Sequence, residues 1–175
     1  DEMGLGKTVQ ALATAAFLRA FPLIVVCPAT LRLVWAEQVE RWLPFLTPQD
    51  IHLISSSGDA LASREDTPAV VITSYNMLRL SQDELCAREW EMVIFDESHS
   101  VTTRIASGDA DISLAARRLA RSSHHLLLLS GTPSLTRPFG LYNQIDMLRP
   151  GLLGASKLDF AAAYCSGGAT SPGVV

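Results

Sequence analysis

Five short apolar runs constrain the fold of this chain more than any other feature of its sequence. Each run is nearly continuous instead of alternating with polar residues, as expected for strands that are buried on both faces of a parallel sheet. The runs occupy residues 23–27, 51–54, 69–73, 92–95 and 126–129. Because segments with helical periodicity lie between them, the pattern predicts an α/β domain with a mostly parallel sheet, helices on both faces and right-handed crossovers.

Helical periodicity is clearest in the segment that follows the first apolar run. Its apolar residues recur three and four positions apart and predict an amphipathic helix; they are Leu31, Val34, Trp35, Val39 and Trp42. Both tryptophans fall on the apolar face, so we expect them in the core and not as platforms for stacking bases. Similar patterns predict helices after the first glycines, over residues 112–121 and over residues 139–148.

Length and composition limit the class of protein. The chain has 175 residues, of which 48% are hydrophobic and 18% charged, which excludes disorder and indicates one domain with a sizeable core. We expect this domain to span residues 1–165, with residues 166–175 as a linker or the truncated edge of the domain. No apolar segment of the sequence is long enough to cross a membrane. A net charge of −4 argues against a polybasic binder but does not exclude nucleic acid.

A glycine-rich loop lies directly before the first predicted helix. Gly4, Leu5, Gly6, Lys7 and Thr8 form a sequence in which glycines let backbone N–H groups face a polyphosphate. Lys7 would then reach the terminal phosphates, and the Thr8 hydroxyl would bind Mg²⁺. Asp1 stands where the strict motif has its first glycine, and the preceding strand is missing, so we expect a truncated domain. A glycine-rich turn with an exposed lysine is the alternative.

Two adjacent carboxylates, Asp96 and Glu97, follow the fourth apolar run, and His99 lies two residues further on. Open α/β sheets bind ligands at the carboxyl ends of their strands, where these side chains would lie. Asp96 would hold Mg²⁺, and Glu97 would orient the water that attacks a γ-phosphate. A solvated acidic turn is the alternative for an isolated Asp-Glu pair.

The fifth apolar run also ends in small and hydroxyl-bearing residues, Ser130-Gly131-Thr132-Pro133. The glycine-rich loop, the Asp-Glu-Ser-His segment and this strand end resemble motifs I, II and III of superfamily 2 helicases, in that order. Their residues are most similar to those of the Swi/Snf-like branch. The resemblance implies a RecA-like P-loop NTPase lobe that uses ATP and Mg²⁺. It assigns His99, Ser130, Gly131 and Thr132 to coupling between nucleotide and DNA.

The same resemblance extends to two segments between these motifs. Residues 26–31 are similar to motif Ia, and residues 72–75 to the segment after it. The resemblance implies that both contact the DNA backbone independently of sequence, through Pro28, Ala29, Thr30, Thr73, Ser74 and Tyr75. It also implies a second RecA-like lobe, which supplies an arginine finger and is absent from this sequence.

A narrower resemblance is to the annealing-helicase group, which comprises the HARP-type proteins and their zinc-finger, nuclease-bearing relatives. It rests on Asp-Glu-Ser-His, on Tyr142-Asn143-Gln144-Ile145 and on residues 149–154. It implies a nuclear ATP-driven translocase that acts on forked or branched DNA in replication-fork remodelling and repair. A nucleosome-remodelling ATPase and a non-catalytic nucleotide- or DNA-binding fragment remain as alternatives.

Overall fold

The computed structural model describes residues 4–59, 61, 68–101, 110–132, 138–154 and 156–165. Within them a five-stranded sheet has the order β2-β3-β1-β4-β5, and every pairing in it is parallel. The strands are β1 (Leu23–Cys27), β2 (Ile51–Leu53), β3 (Val70–Ser74), β4 (Trp90–Asp96) and β5 (Ser123–Leu129). All five correspond to the predicted apolar runs, so the predicted α/β class and sheet are confirmed.

Seven α-helices accompany the sheet in the described part of the chain. They are α1 (Lys7–Leu18), α2 (Arg32–Trp42), α3 (Tyr75–Leu80), α4 (Gln82–Cys86), α5 (Asp111–Ala120), α6 (Tyr142–Leu148) and α7 (Lys157–Tyr164). Short 3-10 turns precede some of them, including Ala29–Leu31 before α2 and Pro138–Leu141 before α6. The predicted helix over residues 139–148 is therefore split between a 3-10 turn and α6.

Helices cover both faces of the sheet, as predicted. On one face, α1 and α2 pack against alternate strand residues through Leu12 and Trp35. On the other face, α3, α4, α5 and α6 pack against the remaining strand residues. The alternation follows from the two-residue period of a strand, which sends neighbouring side chains to opposite faces. The central strands β1 and β3 are buried along their whole length for this reason.

Both edge strands differ from the prediction that every strand is buried on both faces. The three residues of β2 are half-buried, and β5 departs further. Leu126–129 are only half-buried, and His124 and His125 are exposed. In the described part of the chain, β5 pairs with β4 alone, so one side of its backbone has no neighbouring strand. The apolar run thus identified the strand correctly but not its position in the sheet.

Two helix faces also depart from the predicted patterns. Trp35 is 2% exposed and lies in the core, whereas Trp42, on the same predicted face, is 44% exposed. The indole N–H of Trp42 donates to Gln38 on the surface of α2 instead. In α1 the apolar spacing predicts a buried face of Val9, Leu12, Ala13, Ala16 and Phe17, but the buried residues are Ala11, Leu12 and Ala15, and Phe17 is 87% exposed. The packed face of each helix therefore differs from the face that its apolar pattern predicts.

The expected linker or truncated edge at residues 166–175 lies outside the described residues. Among the helices that the structure describes, each is too short or too polar to pass through a bilayer.

An ion pair fastens α6 to α5. Arg117 donates to Asp146 over 2.7 Å, and the two side chains are 22% and 11% exposed. The second oxygen of Asp146 accepts the backbone N–H of Gly151 at 3.1 Å, so one carboxylate joins both helices to the following turn. Arg118 makes a comparable pair with Asp83, but the Asp83 side chain is 89% exposed.

Asp146→Ala is expected to lower the free energy of unfolding by about 2–4 kcal/mol, because a largely buried arginine loses its carboxylate partner. Asp83→Ala is the matched control, since it removes an aspartate from a solvent-exposed pair and should leave stability unchanged within error. Urea-induced unfolding followed by tryptophan fluorescence measures both. Equal stabilities of the two variants would contradict a structural role for the Arg117–Asp146 pair.

Candidate functional site

The glycine-rich loop has the backbone conformation that only glycine adopts readily. Gly4 has a φ of 84° and Gly6 a φ of 73°, both in the left-handed region. An added Cβ would meet nothing within 4 Å at either position, so backbone strain alone, roughly 1–2 kcal/mol per residue, opposes a side chain. Gln10 reaches back and donates from Nε2 to the Leu5 carbonyl over 2.8 Å, which holds the loop against α1.

The direction of α1 places this loop at the carboxyl edge of the sheet. Residues 19–22 form a short connection from the end of α1 to the start of β1, so α1 must run antiparallel to the strands against which it packs. Its 12 residues span about 18 Å, close to the length of β1. The half-buried Lys7 and Thr8 therefore begin the helix at the edge where β1, β4 and β5 end.

The Asp96 carboxylate at the end of β4 is held by two N–H donors. The backbone N–H of Glu97 donates to Oδ1 at 3.0 Å, and the indole N–H of Trp35 donates to Oδ2 at 2.8 Å. The Tyr75 hydroxyl donates to the backbone carbonyl of Asp96, also at 2.8 Å. Trp35 was predicted as a core residue and not as part of this site. Its only signal was that a buried indole N–H requires an acceptor.

Glu97 has a backbone conformation that is rare outside glycine, with φ 49° and ψ 51°. Its carbonyl accepts the N–H of Ser100 at 2.9 Å within a 3-10 turn over Ser98–Ser100. The buried Ser98 hydroxyl donates to Oε1 of Gln144 on α6 at 2.9 Å. These contacts hold the strained residue in place, and strain of this kind clusters at functional sites. The role of Gln144 was not visible in the sequence.

A hydrogen-bonded line joins the ends of β4 and β5. Nδ1 of His99 lies 3.2 Å from Oε2 of Glu97 and 3.1 Å from the hydroxyl of Ser130. The same hydroxyl accepts the backbone N–H of Thr132 at 3.1 Å. The structure thus brings Glu97, predicted as a catalytic residue, next to His99 and Ser130, predicted as coupling residues. Gly131 lies between Ser130, which carries this hydroxyl, and Thr132, whose backbone N–H donates to it.

The two segments predicted to contact DNA differ in exposure. Ala29 and Thr30 are exposed and Pro28 is half-buried, after the end of β1. By contrast, Thr73, Ser74 and Tyr75 are all buried. Ser74 caps α3 by accepting the backbone N–H of Met77, and the Tyr75 hydroxyl is bonded to Asp96. Because whole-residue exposure is 0% for Thr73, 4% for Ser74 and 7% for Tyr75, backbone and side chains are both buried, and contact of this segment with DNA stays a prediction.

Burial near Asp96 keeps two neighbouring groups protonated. Burial first, and then the negative charge of Asp96, raise the pKa of the Cys27 thiol to about 12. The same causes, in the same order, raise the pKa of Tyr75 well above its usual value. Tyr75 therefore remains a hydrogen-bond donor to the Asp96 carbonyl at physiological pH. Cys27, whose thiol lies 3.7 Å from the Thr73 carbonyl, is not a reactive thiolate.

The donor set at this edge fits a magnesium-bound nucleotide. Asp96 and Thr8 offer the hard oxygen atoms that Mg²⁺ prefers, and magnesium at such sites takes most other ligands from phosphates and water. No cluster of three or more His, Cys, Asp or Glu side chains that could hold a metal ion is found among the described residues. The glycine-rich loop at the start of α1 offers backbone N–H groups for the phosphates.

Comparisons with known proteins agree with this architecture. A profile of the SNF2-related domain family matches residues 1–164. Among solved structures, the Sulfolobus solfataricus SWI2/SNF2 ATPase core in complex with dsDNA is similar, with a TM-score of 0.74 and 26% identity over 93% of this chain and 33% of that one. The fold is therefore that of a RecA-like lobe of an SNF2 ATPase core.

Two similar proteins come from vertebrates. The SWI/SNF-related matrix-associated actin-dependent regulator of chromatin subfamily A-like protein 1 of Xenopus tropicalis is 37% identical over 169 residues, which are 94% of this chain and 17% of that protein. The DNA annealing helicase and endonuclease ZRANB3 of Homo sapiens is 36% identical over 171 residues, which are 95% of this chain and 15% of that protein. The chain thus spans less than a fifth of the length of each of these two relatives. Because the family profile covers almost the whole chain, the chain belongs to the SNF2-related domain family.

Proposed function

We propose that this chain is the ATP-binding lobe of a DNA-dependent ATPase, an annealing helicase that acts on forked or branched DNA in fork remodelling and repair. The observation that carries the proposal is the contact of Glu97 with Ser130 through His99. This contact joins the end of β4, where Glu97 is proposed to act in ATP hydrolysis, to the end of β5, where Ser130 is proposed to respond to the state of the nucleotide. The similarity to a protein named as an annealing helicase supports this branch.

In this proposal the residues at the carboxyl edge divide the work of ATP hydrolysis. The loop from Gly4 to Thr8 holds the phosphates, with Lys7 at the β- and γ-phosphates. Thr8 and Asp96 hold Mg²⁺, which neutralises charge on the phosphates when bound. Glu97 orients and deprotonates the attacking water. His99, Ser130, Gly131 and Thr132 pass the state of the nucleotide to the DNA-binding segments.

DNA contact is proposed at the carboxyl ends of β1 and β3. The exposed Ala29 and Thr30 lie after β1, next to Pro28, and present small side chains and backbone groups that suit sequence-independent contact. Residues 73–75, at the end of β3 and the start of α3, form the second proposed contact, although they are buried in this conformation. The dsDNA bound to the similar ATPase core supports a DNA partner for this lobe.

In the intact protein, the ATPase unit is proposed to be the domain at residues 1–165, with residues 166–175 as a linker or truncated edge. A second RecA-like lobe completes the site, because an arginine finger contributes about 10³–10⁵ in rate in related phosphoryl-transfer enzymes. We place the protein in the nucleus, since its relatives are named for chromatin and for DNA annealing.

A nucleosome-remodelling ATPase is the second candidate, because the name of one relative describes a regulator of chromatin. ATP hydrolysis by the full natural protein, measured with duplex DNA, forked DNA and nucleosomes, separates the two. Greatest stimulation by forked DNA is expected. Stimulation by nucleosomes well beyond that by forked DNA would favour remodelling instead.

Lys7→Ala is expected to weaken the binding of ATP at least about tenfold, because charge-assisted contacts to the phosphates are lost. Equilibrium binding of a fluorescent ATP analogue to the full natural protein measures this. Lys157→Ala, which removes the other lysine of the chain at the start of α7, should bind like the wild type. Unchanged affinity of the Lys7 variant would remove this loop from the nucleotide site.

Glu97→Gln is expected to retain ATP binding and to lower turnover by about 10²–10⁴, the usual contribution of a general base. Glu91→Gln is the matched control, because Glu91 lies on the same strand but at its other end. Steady-state hydrolysis with forked DNA and nucleotide binding are measured for both. Turnover at the wild-type rate in the Glu97 variant would exclude this residue from the mechanism.

Ser130→Ala is expected to keep hydrolysis without DNA but to reduce its stimulation by DNA, because the hydroxyl links His99 to the end of β5. Ser123→Ala, at the other end of β5, is the control, since that hydroxyl donates to the local Ala120 carbonyl. The ratio of rates with and without forked DNA is the measurement. An unaltered ratio in the Ser130 variant would contradict the coupling role.

A further inference from the structure

Asp96 is connected to both faces of the sheet by aromatic hydrogen-bond donors. Trp35 belongs to the core cluster on the face covered by α1 and α2, and Tyr75 belongs to the cluster on the opposite face. The indole N–H of Trp35 binds Oδ2 of Asp96, and the phenol of Tyr75 binds the backbone carbonyl of the same residue, each over 2.8 Å. One residue at the end of β4 is therefore held from two sides.

Each aromatic donor belongs to, or lies within one helical turn of, a segment that is proposed to contact DNA. Trp35 lies one helical turn beyond the Ala29–Leu31 turn that follows β1. Tyr75 is the first residue of α3, directly after β3. Because β3, β1 and β4 are successive neighbours in the sheet, both segments reach the end of β4 over a short distance. A displacement of either segment would change a hydrogen bond to Asp96.

Both donors are positioned by packing. Trp35 is 2% exposed and Tyr75 is 7% exposed, so water does not compete effectively for their donor groups. Tyr75 also stacks on Phe95, the residue before Asp96, with ring centroids 6.2 Å apart and an angle of 21° between the planes. The core that packs around β4 therefore holds both the two donors and their acceptors on Asp96.

We infer that Trp35 is a positioning residue for the Asp96 carboxylate, and that Trp35 and Tyr75 link this carboxylate to both segments proposed to contact DNA. The inference rests on the proposed function, in which Asp96 holds magnesium. The Glu97 N–H on Oδ1 and the indole N–H on Oδ2 together fix the rotation of the carboxylate. Its remaining lone pairs would be available to a magnesium ion. Groups of this kind, which orient a metal ligand, typically change metal affinity about 10–100-fold when removed.

The test compares Trp35→Phe with Trp42→Phe in the full natural protein. Both changes remove an indole N–H from α2, but Trp42 donates to the surface residue Gln38. The affinity for a fluorescent ATP analogue is measured with Mg²⁺ and with EDTA, and the ratio of the two affinities is the readout. We expect Trp35→Phe to reduce this ratio about tenfold, with little change in EDTA, and Trp42→Phe to match the wild type.

The outcomes separate this inference from the proposed function. A wild-type protein whose nucleotide affinity does not depend on Mg²⁺ would overturn the proposed function and the role of Trp35 together. A wild type that depends on Mg²⁺, with an unchanged or larger ratio in Trp35→Phe, would overturn the role of Trp35 alone. Measurement in EDTA also reports whether the variant is folded, because it retains the phosphate loop.

A double-mutant cycle distinguishes positioning from general loss of packing. In an Asp96→Asn background the metal ligand is already impaired, so Trp35→Phe should reduce the magnesium ratio no further. A reduction of the same size in that background would overturn the inference. Should Trp35→Phe not fold, the indole ¹⁵N–¹H resonance of wild-type Trp35 serves instead. It should shift when Mg²⁺ joins the bound nucleotide, while that of Trp42 stays in place, and an unmoved Trp35 resonance would contradict the role.

The link to DNA is tested with Tyr75→Phe, which keeps the stacking on Phe95 and removes only the hydroxyl. The change in magnesium–nucleotide affinity on adding forked DNA is measured for the wild type, for this variant and for Tyr164→Phe. Tyr164 is exposed at the end of α7 and is the matched control. We expect a smaller DNA-induced change in Tyr75→Phe only. Equal changes in all three proteins would overturn the link through Tyr75.

Discussion

The parallel pairing of β4 between β1 and β5 is the constraint on which the rest of this structure depends. It brings the carboxyl ends of three strands to one edge, and the antiparallel course of α1 adds the glycine-rich loop there. Lys7, Asp96 and Ser130, which are far apart in sequence, thereby lie at the same edge of the sheet. The functional residues need no separate scaffold, because the hydrogen bonds of the sheet also align the strand ends.

The end of β4 is more tightly held than a surface turn. Glu97 adopts a left-handed backbone conformation, and its neighbours on both sides are anchored, Asp96 by Trp35 and Tyr75, Ser98 by Gln144. A strained residue persists only where its surroundings determine its position. The Glu97 side chain extends towards His99, with Oε2 at 3.2 Å from Nδ1. The core on both faces of the sheet therefore contributes to the geometry of the candidate site.

An overall negative charge is compatible with the proposed contact with DNA. The chain carries a formal charge of −4, and Arg117 and Arg118 form pairs with aspartates on neighbouring helices. Small exposed residues such as Ala29 and Thr30 instead present backbone groups, which bind phosphate without requiring a basic patch. The lobe would thus bind DNA through a few placed groups and not through its general charge.

The sequence by itself determined the strands, the parallel α/β class and the residue types of the three motifs, because buried strands and phosphate loops leave local patterns that need no partner to be recognised. Only the tertiary structure decided which residues meet. Trp35 and Trp42 share one helical pattern, yet one donates to Asp96 and the other to a surface glutamine. The contacts of Gln144 with Ser98 and of Tyr75 with Asp96 were equally hidden. A hydrogen bond between residues far apart in sequence depends on how helices pack on the sheet, and that geometry has no local signature.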